Sequence, residues 1–497
     1  MKKFEIIVII FLLVLAISLR FSETYLNNFL FLLDQGRDLL DVKRIVFDGH
    51  LTLIGPYTGL QGVFQGPLYY YLLAIPLFLA GGNPWGTVFL TFLMSVFTIV
   101  IMYYTARKFL GHKTAILTLF LLAVSPEAIA AATYVWNPHP MWLLIAVYLF
   151  FFYKVVFNEK KYIIFLWVTM GLMFHFESAG GFFILFGTLL FFFIFERKEI
   201  FTKHFVVGFG CFLFLFLPQL LFDFRHDFLM TKSLLNIFHG GDQGLFADNE
   251  KVSYLYGIRA NIDMLYYNFS SSLLRDGYLI YLPNIILFVF FSTILFKEKL
   301  SLFSKKENIF LNQTLKLLFC ILVLVMFFPF PLRYWYLTGY QLFYIVILGL
   351  VLSKLFVFPK GKLLIFLLAS IILFYSIEKG VHVYTKPDYG GIAKIKGKLD
   401  AIEYIYKSAQ GKPFNLLVFT PPVYTDAYDY LIWWYGKKTG QGIPLKEKKD
   451  VFYLLIELDP NKPWSYEGWL ETVIKTGKIV DERTLPSGLI IQKRIEE

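Results

Sequence analysis

The sequence predicts a polytopic α-helical membrane protein with a small α/β domain at its carboxyl end, on three observations. The chain has 497 residues, 57% of them hydrophobic and only 17% charged, against roughly 25% charged in a soluble domain. Its apolar residues come in runs of about 17 to 23, long enough to cross about 30 Å of hydrocarbon as helix. Phe4 to Phe21, Pro84 to Tyr104 and Phe205 to Phe222 are examples. After Glu378 the composition changes abruptly to a polar stretch of mixed charge. A membrane barrel would alternate apolar and polar residues over about ten positions, and that alternation is absent.

The net charge of +11 would suggest nucleic acid in a soluble protein. Here Lys and Arg cluster in short loops between apolar runs, where they act as topology signals, so no nucleic-acid partner is expected. The amino terminus, with Lys2 and Lys3, is placed in the cytoplasm. The clusters at Arg107 to Lys113, Lys154 to Lys161, Arg197 to Lys203, Lys297 to Lys306 and Lys354 to Lys362 then share that side if about eleven helices cross. This requires Leu68 to Ala80, which is short and interrupted by Pro76, to lie at the outer interface. The first run reads as an uncleaved anchor because it lacks a small-residue cleavage site. The expected layout is a plasma-membrane domain over residues 1–378 and an extracytoplasmic α/β domain over 379–497. Outer loops fall at 22–83, with two interfacial helices, and at 223–276. Cys211 and Cys320 lie in apolar runs and offer neither a disulfide framework nor a metal motif.

Within the tail, Ala401 to Ser408 reads as helix. Asn415 to Phe419, Val451 to Glu457 and Leu489 to Gln492 read as strands, with turns at Pro421-Pro422 and Pro486-Ser487-Gly488. The aromatic-dense stretch Tyr424 to Gly436 serves either sugar stacking or packing against the rest of the protein.

Charge at the membrane boundary is costly and tends to be functional. Asp34, Arg37, Asp38, Asp41, Arg44 and Asp48 fall on one face of a helical wheel, with Leu39, Val42 and Val46 opposite. That pattern predicts an amphipathic helix lying on the membrane. Trp136-Asn137-Pro138-His139 is either a turn with an interfacial Trp or a sugar contact. His175-Phe176-Glu177 either bonds locally or contributes a metal site. Asp223 to Asp227, which contains Arg225, reads as a solvated turn. Arg333, followed by Tyr334, reads either as a snorkelling cation in an aromatic belt or as a phosphate ligand.

Three segments in order carry a resemblance. Asp34-Gln35-Gly36-Arg37 resembles the acidic motif of GT-C superfamily glycosyltransferases, which include protein O-mannosyltransferases and lipid A aminoarabinose transferases. Gln65-Gly66-Pro67-Leu68-Tyr69-Tyr70-Tyr71 resembles their Lys/His-Pro-Pro-Leu-x-Tyr segment. Arg107-Lys108-Phe109-Leu110-Gly111 is similar to their cytoplasmic Arg-x-Leu-Phe-Gly turn. The resemblance covers residues 4–378 and implies a GT-C-like fold. It also implies inverting transfer of a sugar from a polyprenyl-phosphate donor to an acceptor hydroxyl of unknown class at the outer face. Asp34 is matched to the base. Arg37, Asp38, Gln65, Trp136, Asn137, Arg225, Arg333 and Tyr334 are candidates for donor phosphate or substrate. Gln35 replaces the family's second acidic residue and Gln65 stands where some members carry Lys, so the phosphate cation is expected elsewhere, at Arg37, Arg225 or Arg333. A divalent metal at His175 and Glu177 is the one cofactor left open. Membrane lipids are the other expected partner.

The competing readings are a transporter or flippase for a lipid-linked sugar and a catalytically inactive scaffold. Transporters gather polar groups and broken helices near the midplane, often in repeated halves. Here the charges gather at the outer ends and no repeat is visible.

Overall fold

The computed structural model describes residues 3–200, 202–238, 254–274, 280–295, 302–329, 332–386, 390–421, 424–447 and 450–496. Much of the outer loop expected over 223–276, Lys297 of the basic cluster, and Pro422 of the tail turn lie outside these residues.

α1 (Lys3–Leu26) is followed by two short helices, α2 (Leu33–Asp48) and α3 (Leu68–Leu79), and then by α4 (Trp85–Leu110). α5 (His112–Val124) and α6 (Pro126–Thr133) are bent by 57° around Ser125, because Pro126 lacks the N–H that would continue the α5 ladder. α7 (Met141–Val156), α8 (Ile163–Met173) and α9 (Ser178–Phe195) follow. The apolar run Phe205 to Phe222 is a bent pair, α10 (Lys203–Leu215) and α11 (Leu217–Arg225), turned by 45° just before Pro218. α12 (Leu229–Phe238), α13 (Tyr254–Ser270), α14 (Leu282–Leu295), α15 (Lys305–Met326), α16 (Gln341–Leu355) and α17 (Pro359–Thr385) complete the helical part.

Among the described residues, five helices (α1, α4, α9, α15 and α17) are long and apolar enough to cross a membrane, or seven spans if each bent pair counts as one. This corrects the expected count of about eleven. The apolar runs are present, but several expected spans fold as shorter helices: α7, α8 and α16 have 16, 11 and 15 residues. Sixteen residues rise only about 24 Å as helix, short of a hydrocarbon core of about 30 Å.

The basic loops meet at one end of the bundle. Lys306 donates to the Lys108 carbonyl at 2.8 Å, Lys354 pairs with Glu307 at 2.6 Å, and Lys160 pairs with Glu199 at 2.8 Å. Glu5 reaches His112 at 3.1 Å, so the amino terminus belongs to that end.

Arg20 of α1 is fully buried. It donates to the carbonyls of Leu122 at 2.6 Å and Ala123 at 2.8 Å, and to Ser95 Oγ at 2.9 Å. These carbonyls end α5 and have lost their helical partners at the break. Arg20 therefore satisfies a broken helix that water cannot reach. Replacing it with Met leaves those acceptors unpaired, an expected cost of about 2–3 kcal/mol, read as earlier unfolding in detergent. Unchanged unfolding would show that the break is held by other groups.

The tail contains a four-stranded sheet ordered β1 (Asn415–Phe419), β2 (Val451–Ile456), β4 (Ile490–Ile495), β3 (Lys478–Thr484). β1 and β2 are parallel and the other pairs antiparallel. Parallel neighbours need a crossover, and the helix α19 (Asp426–Thr439) supplies it, with α18 (Ile395–Ala409) preceding β1. β3 escaped the sequence reading because it is a fully exposed edge rich in charge, a composition that discourages edge pairing. The chain is thus a multi-pass α-helical membrane protein with a small carboxyl-terminal α/β domain.

The tail packs onto α2. Backbone bonds run from Phe31 N to Ala393 O and from Ile395 N to Phe29 O, both at 2.9 Å. Tyr430 donates its hydroxyl to Gly82 O at 2.7 Å, and Lys437 Nζ lies 3.7 Å from the Phe47 ring centre. The aromatic stretch of α19, with Tyr428, Tyr430 and Trp434 buried, is therefore a packed face. α2 itself departs from the expected membrane-surface helix: α3 and α19 pack against it and Asp38 is buried. Its polar face meets Tyr70 of α3 at Asp38 and Asp41, and the tail covers the neighbouring face at Gly36, Lys43 and Phe47.

Candidate active site

Seven of the sequence-selected residues converge on one cavity of about 1150 Å³. They are Asp34, Arg37, Gln65, Trp136, Asn137, Glu177 and Tyr334. The opposite wall is apolar, from Phe182 of α9, Phe216 and Leu220 around α11, and Val323, Leu324 and Phe327 at the end of α15. Two of those walls, α9 and α15, are candidate membrane spans.

Asp34 sits in the first turn of α2 with its side chain 43% exposed. One oxygen pairs with Arg37 Nη1 at 3.0 Å. The other accepts from the Trp136 indole N–H at 3.2 Å. Arg37 also meets Asp38 at 2.9 Å, and the Tyr70 hydroxyl donates to Asp41 at 3.2 Å. Gln35 has a structural task. Its Oε1 accepts from Leu32 N, and its Nε2 donates to Val135 O, both at 2.9 Å. That pair of bonds caps α2 and ties it to the segment that presents Trp136.

Gln65 Oε1 accepts from Ser178 N at 3.0 Å and from the Ser178 hydroxyl. Gly66 fits only because it has no side chain: a Cβ there would lie 2.0 Å from His175 Nδ1. Asn137 Nδ2 donates to Phe176 O at 2.7 Å. The segments near 65, 137 and 177 are thereby locked together.

The remaining candidates separate from the cavity. Asp38 lies behind Arg37. Arg225, at the exposed end of α11, and Arg333, half-buried before the turn Tyr334–Leu337, are not on its described wall. His175 is held by backbone at both nitrogens, with Leu68 N at 3.4 Å and Leu215 O at 3.1 Å, while Glu177 lines the cavity. Among the described residues no group of three or more His, Cys, Asp or Glu converges, so the expected His175–Glu177 metal pair finds no third ligand there. Asp223, read from sequence as part of a solvated turn, is buried on the cavity wall. It accepts from Met230 N and the Thr231 hydroxyl, both at 2.6 Å. Its only sequence signal was an acidic residue closing an apolar run.

ArnT from Cupriavidus metallidurans, in a structure bound to undecaprenyl phosphate, superposes with a TM-score of 0.58 over 99% of this chain and 97% of that one, at 12% identity. An oligosaccharyltransferase from Archaeoglobus fulgidus, in complex with Zn and sulfate, gives 0.53 over 97% of this chain and 72% of that one, at 13% identity. The chain shares the fold of these two proteins. Within the chain, residues 65–222 match the family described as dolichyl-phosphate-mannose-protein mannosyltransferase. An uncharacterized protein of Aquifex aeolicus (strain VF5) is 25% identical over 280 residues, so the chain spans about half of that relative's length, with 53% of it matched.

Burial acts on two carboxyl groups at and behind the cavity wall. Burial pushes Glu177 up to about 8, against the Ala179 N–H that favours its charged form. Burial also raises Asp38, to about 7, opposed by Arg37 and reinforced by Asp34 and Asp41. Burial works against the Arg37 charge, but Asp38 and Asp34 outweigh it and keep the guanidinium protonated. Glu177 also gives a stability signature. Its folded value lies above the unfolded carboxyl value of about 4.3, so the folded state holds the extra proton between the two. Stability from this group is therefore full below the unfolded value and falls as pH rises to about 8. Glu177→Gln should flatten that decline in unfolding measured from pH 5 to 9. An equally steep decline in the variant would assign it to other groups.

Proposed function

We propose that this protein transfers a sugar, with inversion, from a polyprenyl-phosphate donor to an acceptor hydroxyl at the outer face of the membrane. The observation that carries this is the cavity itself: the Asp34 carboxylate on one side, an apolar wall running onto two candidate spans on the other. Such a space suits a ligand with a polar head and a lipid tail. The relative crystallised with undecaprenyl phosphate supports the same donor class. In this orientation the basic end and the amino terminus face the cytoplasm and the α/β domain lies outside.

Chemically, the acceptor hydroxyl attacks the anomeric carbon while Asp34 accepts its proton. The bond from that carbon to the phosphate oxygen breaks, and its electron pair leaves with the prenyl phosphate. A single displacement inverts the centre. Arg37 orients one oxygen of Asp34 and the Trp136 N–H fixes the other. No step is assigned to a metal.

Purified protein in nanodiscs, given labelled undecaprenyl-phosphate sugar, should release prenyl phosphate only when an acceptor is supplied. Donor movement across vesicles without bond cleavage would favour a transporter instead. Trp136→Phe keeps the ring and removes only the N–H on Asp34. A hydrogen bond to a charged group is worth about 1.5–3 kcal/mol, so kcat should fall by about ten- to a hundredfold. A normal kcat would remove Trp136 from the orienting role.

A further inference from the structure

Positive charge converges at the basic end of the bundle. Lys108 lies in the last turn of α4, Lys154 in the last turn of α7 and Lys306 in the first turn of α15. Shared rings bring their ammonium groups together. Lys108 and Lys154 lie 5.7 and 5.9 Å from the centre of the Phe150 ring. Lys108 and Lys306 lie 5.9 and 5.6 Å from that of Phe109. The Lys108 and Lys154 ammonium groups stand directly against each other. A lysine that only marks topology extends its charge into water. Here the Lys154 side chain is 8% exposed and Lys108 is half-buried.

The charge at this point is not balanced. Among the described residues one carboxylate, Glu159, pairs with the cluster, accepting from Lys154 at 2.6 and 2.8 Å. Lys161 adds a further positive charge within reach of Glu159. The other charges nearby have partners of their own: Arg107 meets the Tyr103 hydroxyl and His112, Lys160 meets Glu199, and Glu307 meets Lys354. Ring faces favour each ammonium group slightly, but like charges in contact repel by more than such contacts return. Donors are also left over. Lys306 gives one N–H to the Lys108 carbonyl at 2.8 Å and Lys154 gives two to Glu159, so N–H groups remain on all three lysines. An anion among them would accept those bonds and end the repulsion.

Three ammonium groups less one carboxylate leave two positive charges. A phosphate monoester carries close to two negative charges and three strong acceptor oxygens. The surface beside the cluster indicates what carries the phosphate. Phe97, Val100 and Tyr104 are exposed on α4, and their spacing of three and four residues puts them on one face. Lys108 continues that face one turn later, 5.9 Å from the centre of the Tyr104 ring. α4 is a candidate membrane span. An apolar strip on a spanning helix that ends at clustered lysines matches an acyl chain topped by an anionic headgroup.

We propose that Lys108, Lys154 and Lys306 bind the phosphate of an anionic membrane lipid in the leaflet bordering the basic end, with its chain along Phe97, Val100 and Tyr104. The bound lipid ties the ends of α4 and α7 to the start of α15. It lies at the far end of α1 from the Asp34 cavity and does not depend on the reaction proposed above.

The test uses full-length protein in detergent with phosphatidic acid and phosphatidylcholine of identical chains, the bound lipid being counted by native mass spectrometry. The wild type should hold one phosphatidic acid at least about tenfold more tightly than phosphatidylcholine. Lys108→Gln combined with Lys306→Gln leaves the Lys154–Glu159 pair in place and should weaken phosphatidic acid by about 25-fold, roughly fivefold for each lysine. Lys360→Gln combined with Lys362→Gln removes the same charge from the exposed start of α17 and should leave binding unchanged. A wild type without preference for phosphatidic acid, or a Lys108 and Lys306 variant that binds it normally, overturns the site. An equal loss in the α17 variant overturns it too, because general attraction to a basic surface would then account for the binding. Glycerol 3-phosphate, the same headgroup without chains, should compete only weakly. Competition equal to that of the lipid would make the ligand a soluble phosphate and overturn the lipid assignment.

Discussion

Asp34→Asn is expected to lower the rate of sugar transfer by about 10²- to 10⁴-fold, the worth of a positioned general base. Asn matches Asp in size and still offers an oxygen to Arg37 and the Trp136 N–H, so the first turn of α2 should keep its shape. It cannot take a proton from the attacking hydroxyl. The defect should therefore fall on kcat rather than on KM, the pattern of an interaction made only in the transition state. Donor binding, which on this reading uses the apolar wall, should persist. Steady-state transfer with labelled donor, beside an unfolding curve that matches the wild type, measures this. A folded Asn variant transferring at the normal rate would falsify the base assignment.

Gly36→Ala should be nearly as damaging, from a residue that touches no substrate. A Cβ at Gly36 would lie 2.3 Å from Ala427 N and 2.4 Å from Ala427 Cα. Both neighbours are backbone, so no side chain can swing aside; α2 and α19 must move apart. Overpacking of this kind costs about 1–3 kcal/mol. Gly36 lies between Asp34 and Arg37, so the movement is delivered to the carboxylate. A misplacement of about 1 Å can cost about a hundredfold in rate. The expected result is a kcat reduced by about ten- to a hundredfold together with faster proteolytic release of the tail. Wild-type kcat and wild-type proteolysis would show that the two helices are not tightly coupled. The α/β domain is, on this reading, the backstop that holds α2 against Trp136.

Asp34 was legible in sequence because its signal is local: a charged cluster directly after a long apolar run. Trp136 and Asn137 were legible for the same reason, as polar residues at the end of an apolar run, and Gln65 through the segment that resembles the family motif. His175 and Glu177 are two residues apart, yet His175 bonds the Leu68 and Leu215 backbone while Glu177 lines the cavity. Asp223 looked solvated, but the bend before Pro218 and its bonds to the start of α12 bring it onto the cavity wall. Arg225 and Arg333 had the right charge and the expected side, and neither is on the described wall.

The amino-acid sequence alone determined that this is a multi-pass helical membrane protein with an α/β tail, because hydropathy and charge are sums over neighbouring residues and survive any packing. It also marked the turn bearing Asp34. Tertiary structure decided which polar residues share a cavity, how many helices are long enough to cross, and what the tail does. Those outcomes depend on where helices break and at what angle they meet. The 57° turn after α5, held by the buried Arg20, and the seating of α19 on Gly36 bring together segments scattered along the chain, and no window of sequence contains that geometry.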